Sequence, residues 1–149
     1  MRPGDYAPNF TLPDQDTVPQ QLSRLVGDGP VVLFFHHLVN RRCVFEFRRF
    51  EALEPAFERI GTQPVGISVR SVEAQRQLSE MFGLGFPLLS DVNGRVAAEY
   101  GVPRRFGRLR TKPQTFVVDS RRRIIAVLHD EPHAAGHAER ALATLLTRR

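Results

Sequence analysis

The feature that most constrains the fold is a short apolar run followed closely by a long amphipathic segment. Val31 to Phe35 is an unbroken apolar run, of the length expected for a strand buried on both faces. Arg41 to Ile60 then carries apolar residues at helical spacing, and Gly61 ends the segment. A buried strand that leads into a helix predicts a crossover unit, in which the next strand returns parallel to the first.

The rest of the chain continues this alternation and ends in a hairpin and a helix. We predict the following further elements: a short strand at Asn9–Leu12, a helical turn at Gln21–Leu25, a strand at Val65–Val69, a helix at Ser71–Phe82 capped by Ser71, an extended segment at Phe86–Asp91, a short helix at Gly94–Tyr100, hairpin strands at Thr115–Val118 and Ile124–Leu128, and a helix at Ala134–Leu146. This order predicts a single α/β domain over residues 1–149, with a central mixed β-sheet and helices on both faces.

Composition narrows the class of protein. Hydrophobic residues make up 42% of the chain and charged residues 25%, which is typical of a soluble globular domain. No apolar run approaches the roughly 20 residues that span a bilayer, and the start of the chain lacks an apolar signal region, so we expect a cytoplasmic protein without a membrane partner. The net charge is +5, but the arginine clusters are scattered over different elements, which disfavours nucleic-acid binding.

The chain contains one cysteine, Cys43, at the predicted start of the long helix. A single cysteine excludes an intrachain disulfide and a cysteine-rich zinc site. Amide groups at a helix start stabilise negative charge, and Arg41 and Arg42 would add to that field, so the position suits a thiolate. The alternative is a small buried hydrophobic side chain, which is the usual state of a free cysteine.

Local sequence segments, taken in order, resemble those of the peroxiredoxins of the alkyl hydroperoxide reductase and thiol-specific antioxidant family. Residues Gly4 to Asp14 are similar to the family's opening pattern G-x-x-A-P-D-F-T-L-x-D. Further similar segments follow in the family's order: Val31–Phe35, Val65–Val69, Phe86–Asp91, Tyr100–Val102 and Thr115–Asp119. The resemblance covers nearly the whole chain and implies a thioredoxin-like three-layer sandwich.

The resemblance also assigns a site, although the family's catalytic pattern P-x-x-x-T-x-x-C is only partly kept. Cys43 takes the place of the peroxidatic cysteine, and Glu46 matches the family's acidic or glutamine position. His36 stands where the family has proline and Asn40 where it has threonine. Pro113 stands where the family carries a helper arginine before the T-F strand.

The implied function is that of a one-cysteine thiol peroxidase without a metal or cofactor. Cys43 would attack hydrogen peroxide or a small organic hydroperoxide and become a sulfenic acid, with Glu46 ordering the site and Asn40 donating a hydrogen bond. An external thiol, from a thioredoxin-like protein or a small molecule, would restore Cys43, and a homodimer is expected from the resemblance. Two alternatives stay open: a thioredoxin-fold protein that has lost peroxidase activity and binds a partner, and a carrier that forms mixed disulfides.

Several polar positions of the chain also have simpler interpretations. Asn40 is an excellent helix N-cap. His36 is a candidate catalytic residue, as a base or as an imidazolium partner of the thiol, although a polar strand end formed with His37 is the favoured interpretation. His133 and His137 have the spacing of a metal pair, but a solvated helix face is the favoured interpretation. Arg110, Lys112, Arg41 or Arg42 would be the candidates to replace the missing helper arginine, and Pro113 resembles the cis-proline of thioredoxins.

Overall fold

The computed structural model describes residues 1–36, 41–102, 114–129 and 136–148, with the backbone alone at 41–43. Within these ranges, the main strands are β3 Val31–Phe35, β4 Gln63–Ser68, β5 Leu88–Ser90, β6 Gln114–Val118 and β7 Ile124–Leu128. The helices are α1 Leu22–Leu25, α2 Arg41–Arg59, α3 Val72–Phe82, α4 Arg95–Glu99 and α5 His137–Thr147, with a 3-10 turn at Val26–Asp28. None of the described helices is long and apolar enough to cross a bilayer.

The main strands form one mixed sheet in the order β5-β4-β3-β6-β7. β3 lies at its centre, parallel to β4 and antiparallel to β6. β5 continues the parallel half beside β4, and β7 closes the sheet as the second strand of a hairpin with β6. The predicted central mixed sheet, parallel crossovers and terminal hairpin are therefore confirmed.

The alternation of side chains along β3 divides the interior into two cores. Val32 and Phe34 face a core built with α2, α3 and α5, which includes Phe47 and Phe50. On the opposite face of the sheet, Val31, Leu33 and Phe35 pack against α4 and the N-terminal segment. Helices therefore cover both faces of the sheet, as the predicted three-layer sandwich requires.

The N-terminal segment differs from the prediction of one short strand at Asn9–Leu12. Its strand β1 covers Thr11–Pro13 and pairs with a second strand, β2 Pro19–Gln21, that the sequence prediction missed. The Asp14 carboxylate closes the turn between them by accepting hydrogen bonds from the Asp16 and Val18 N–H groups at 2.8 and 2.9 Å. A side chain that satisfies backbone donors in this way stabilises a turn, which brings a strand too short to predict alongside β1.

The ends of α3 match the prediction. The Ser71 hydroxyl accepts a hydrogen bond from the Ala74 N–H at 3.1 Å, and Gly83 ends the helix in the left-handed conformation. α5 begins at His137, three residues beyond the predicted start, and the predicted first residue, Ala134, lies outside the described ranges.

Candidate active site

Cys43 lies where the central strand leads into the long helix. β3 ends at Phe35, α2 begins at Arg41, and Cys43 is the third residue of the helix. The N–H groups of a first helical turn have no partner within the helix, and the helix dipole places partial positive charge there. The backbone position is the predicted one and favours an ionised thiol.

His36 follows β3 and is buried in an aromatic pocket on the α2 side of the sheet. Its side chain is 1% exposed. The Phe34 ring stacks against the imidazole with 5.6 Å between centroids, and the Phe47 ring meets it edge to face at 4.7 Å. His36 is therefore an interior group of the site rather than a polar group at the surface, and its catalytic role stays a prediction.

Glu46 is fully buried one turn along α2 from Cys43, although carboxylates are rarely buried without a partner. Its Oε1 accepts a hydrogen bond from the backbone N–H of His137 at 2.9 Å. Gly136, the N-cap residue of α5, has no side chain that could accept this bond. A Cβ at Gly136 would stand only 3.0 Å from Oε1 of Glu46. Glu46 thus caps α5 from a different helix, and the missing side chain at 136 leaves room for it.

His137 is the functional candidate that sequence reasoning missed, and the solvated face predicted for it is wrong. The imidazole is 1% exposed. His137 continues the buried stripe of α5 through Ala141 and Leu145, and this spacing of four residues was the available signal. Its ring nitrogens contact the Thr115 hydroxyl at 2.7 Å and the His129 carbonyl oxygen at 3.1 Å. These contacts make it a hydrogen-bonding group of the interior, and His133 lies outside the described residues.

A salt bridge also joins α2 to α5, close in the chain to Glu46 and His137. The Arg49 Nε lies 2.6 Å from the Glu139 Oε2, and both side chains are partly exposed. Such a partly exposed pair contributes at most about 1 kcal/mol to stability, so it supports the buried contacts rather than replacing them.

Several predicted site positions fall outside what the structure describes. Asn40, Arg110, Lys112 and Pro113 lie outside the described ranges, and Arg41, Arg42 and Cys43 are described by their backbone alone. Their assigned roles stay predictions. Within the described part of the chain, no three histidine, cysteine, aspartate or glutamate side chains are grouped as metal ligands.

A thioredoxin-like sheet whose central strand leads into a cysteine-bearing helix defines the thiol-redox class of proteins. Residues 3–127 match the AhpC/TSA family. A putative peroxiredoxin of Mycobacterium tuberculosis is 41% identical over 148 residues, which cover 97% of this chain and 96% of that protein. The chain belongs to the AhpC/TSA family of peroxiredoxins.

Solved structures agree with this membership. The crystal structure of peroxidoxin BcpB from Mycobacterium tuberculosis superposes with a TM-score of 0.92 at 41% identity, covering 100% of this chain and 99% of that one. A mutant of Xylella fastidiosa PrxQ gives a TM-score of 0.88 at 25% identity, covering 99% and 97%. The predicted family and thioredoxin-like fold are confirmed, and the class of chemistry is that of a thiol peroxidase, with a peroxide as substrate and a thiol as reductant.

Proposed function

We propose that this peroxiredoxin works with Cys43 as its one catalytic cysteine. The Cys43 thiolate attacks the nearer oxygen of hydrogen peroxide or a small organic hydroperoxide. An S–O bond forms, the O–O bond breaks, and the departing oxygen takes up a proton and leaves as water or an alcohol. Cysteine is thereby oxidised to sulfenic acid and the peroxide is reduced.

The observation that carries this proposal is the place of the chain's single cysteine. Cys43 lies in the first turn of the helix that follows the central strand, in a chain that matches peroxiredoxins over almost its full length. A helix start favours the thiolate that peroxide reduction needs. In this proposal Glu46 orders the first turn of α2, Asn40 donates a hydrogen bond to the peroxide, and His36 is the candidate base for the thiol.

Recycling must use a thiol from outside the chain, because the chain has no second cysteine. A first thiol attacks the sulfenic sulfur and forms a mixed disulfide with loss of water. A second thiol then attacks this disulfide, releasing the Cys43 thiol and an oxidised disulfide product. A thioredoxin-like protein or a low-molecular-weight thiol has the required chemistry. We also propose a homodimer, which light scattering after gel filtration would test.

A second candidate function is supported by three departures from the family pattern. His36, Asn40 and Pro113 stand where peroxiredoxins carry proline, threonine and arginine. The family's threonine and arginine organise the peroxide, so their replacement is the reason for a second candidate, a protein that keeps the fold and binds a partner without peroxidase activity.

A stopped-flow experiment separates the two functions. The protein is mixed with stoichiometric hydrogen peroxide, and oxidation of Cys43 is followed with a sulfenic-acid probe, with Cys43→Ser as the control. The peroxidase proposal expects a rate well above that of free cysteine and no signal from the control. A rate equal to that of free cysteine would refute it and favour the binding function. Loss of the fast rate in Asn40→Ala would identify Asn40 as a contributor, and an unchanged rate would remove it from the mechanism.

A further inference from the structure

A chain of hydrogen bonds, two of them buried and one partly buried, joins the first turns of α2 to the sheet through the first residue of α5. Glu46 accepts from the His137 backbone N–H at 2.9 Å. The His137 imidazole bonds through Nδ1 to the Thr115 hydroxyl at 2.7 Å and through Nε2 to the His129 carbonyl oxygen at 3.1 Å. Thr115 lies on β6 and His129 directly follows β7, so the ring anchors the start of α5 to two strands.

These contacts determine where the protons lie when the ring is neutral. The His129 carbonyl oxygen can only accept a hydrogen bond, so Nε2 of His137 carries the ring proton and donates it. Nδ1 is then the acceptor, and the Thr115 hydroxyl donates to it. Each ring nitrogen therefore has a defined partner, and the ring orientation is fixed at both ends.

Burial makes the arrangement rigid. Glu46, Thr115 and His137 are each at most 1% exposed. A polar group that loses its partner at such a depth costs about 1–3 kcal/mol, so the three groups favour one mutual arrangement. Phe34 is paired with Thr115 between β3 and β6, and its ring meets the His137 ring edge to face with 6.3 Å between centroids. Phe34 therefore covers the side of this cluster that faces the sheet.

The cluster ends one helical turn from the reactive cysteine. Positions 43 and 46 are three residues apart on α2 and so share one face of the helix. Charged groups near the cluster among the described residues include Arg140, which donates to the His129 carbonyl oxygen at 3.2 Å, and the Arg49–Glu139 pair between α2 and α5. Displacing Glu46 would therefore move a buried carboxylate beside the turn that carries Cys43.

We propose that His137 and Thr115 are positioning residues of the peroxidase site, which hold Glu46 and through it the first turns of α2 in the geometry that reacts with peroxide. The inference rests on the proposed peroxidase function. Neither residue need touch the peroxide, because both act through Glu46. A misplacement of about 1 Å at a reacting group can cost on the order of 100-fold in rate, so a rearrangement of about half an ångström accounts for about tenfold.

The test compares two reactions of Cys43 in Thr115→Val, which keeps the side-chain shape but removes the hydroxyl. Reaction with hydrogen peroxide needs an aligned thiolate, whereas alkylation by iodoacetamide needs only an accessible one. We expect the peroxide rate constant to fall about tenfold and the alkylation rate to change less than about twofold. Thr115→Ser should restore the peroxide rate, and His137→Leu, which removes both ring bonds, should lower it at least as far as Thr115→Val.

Thr62→Val is the matched control, because Thr62 is also buried but lies beyond the far end of α2 and its hydroxyl makes no hydrogen bond within the described residues. It should leave both rates unchanged. Circular dichroism and urea unfolding confirm that each variant is folded. A folded Thr115→Val variant with an unchanged peroxide rate, or with both rates lowered equally, overturns the positioning role. A wild-type rate equal to that of free cysteine refutes the proposed function itself.

Discussion

Gly66 of β4 allows the sheet to pack tightly beside the site, and its replacement by alanine gives a sharp test of the packing. Gly66 is paired with Leu88 of the neighbouring strand β5. A Cβ at position 66 would stand 2.6 Å from Cδ2 of Leu88 and 3.6 Å from Nε2 of His36. Carbon atoms in good contact lie about 3.5–4.0 Å apart, so the added methyl group overlaps Leu88 by about 1 Å and only touches His36.

The expected loss of stability follows from two opposing effects. Overpacking a dense core costs about 1–3 kcal/mol. Alanine also restricts the unfolded chain more than glycine does, which offsets about 0.5–1 kcal/mol. We therefore expect Gly66→Ala to lower the free energy of unfolding by about 1–2 kcal/mol, measured by urea denaturation with an unchanged m-value.

A double-mutant cycle with Leu88→Ala tests whether Leu88 causes this loss. Leu88→Ala alone should cost about 2–5 kcal/mol, because the side chain is fully buried. In the Gly66→Ala background it should cost at least about 1 kcal/mol less, because the overlap disappears and the methyl group fills part of the cavity. Gly27→Ala is the matched control, since a methyl group at position 27 would meet no atom of the described residues within 4 Å. Additive effects, or a Gly66→Ala protein as stable as the wild type, would refute the packing argument.

Two further predictions concern ionisable groups away from Cys43. Partial burial and the neighbouring charges of Glu58 and Glu51 raise the pKa of Glu54. Because the pKa of Glu54 is higher in the folded than in the unfolded state, the stability that Glu54 contributes is present at low pH and is lost as pH rises through the folded-state pKa. Glu54→Gln should therefore flatten this decline in the free energy of unfolding, measured with urea at pH 4 to 7. An unchanged pH profile would contradict the prediction. Burial also raises the pKa of Tyr100, whose hydroxyl donates to the Pro8 carbonyl oxygen at 2.7 Å. Because Tyr100→Phe removes this hydrogen bond, it should lower the free energy of unfolding by about 1–2 kcal/mol in the same assay. An unchanged free energy of unfolding would show that the bond contributes nothing.

The sequence was sufficient for the elements that local patterns specify. The apolar run of β3 and the helical periodicity of α2 predicted both elements to within a residue or two. Ser71 and Gly83 marked the ends of α3, because a hydroxyl at the N-cap and a glycine after the last turn act over a few residues only.

The sequence was insufficient where distant residues decide. β2 exists because the Asp14 carboxylate organises the turn before it, and its three residues carry no strand pattern of their own. The partners of His137 are likewise distant in the chain: Thr115 contacts its ring, and Glu46, which is 91 residues away, accepts from its backbone N–H. A histidine at the start of a helix reads as solvated until the element that covers it is known, whereas the family pattern identified Glu46 without indicating its partner.

Glu46 illustrates why the fold and the activity of this protein must be tested separately. Gly136 has no side chain that could cap α5, and Glu46 on α2 supplies the acceptor whether or not the protein reduces peroxides. The cap that Glu46 provides for α5 is thus a structural role in its own right, and the presence of the buried carboxylate alone is no argument for catalysis. Its distance from Cys43 along the helix is what connects it to the chemistry, because a group that holds α5 in place also holds the turn that carries the thiol. A purely structural cap would affect peroxide reduction and alkylation equally, whereas a positioning group affects the reaction that depends on alignment.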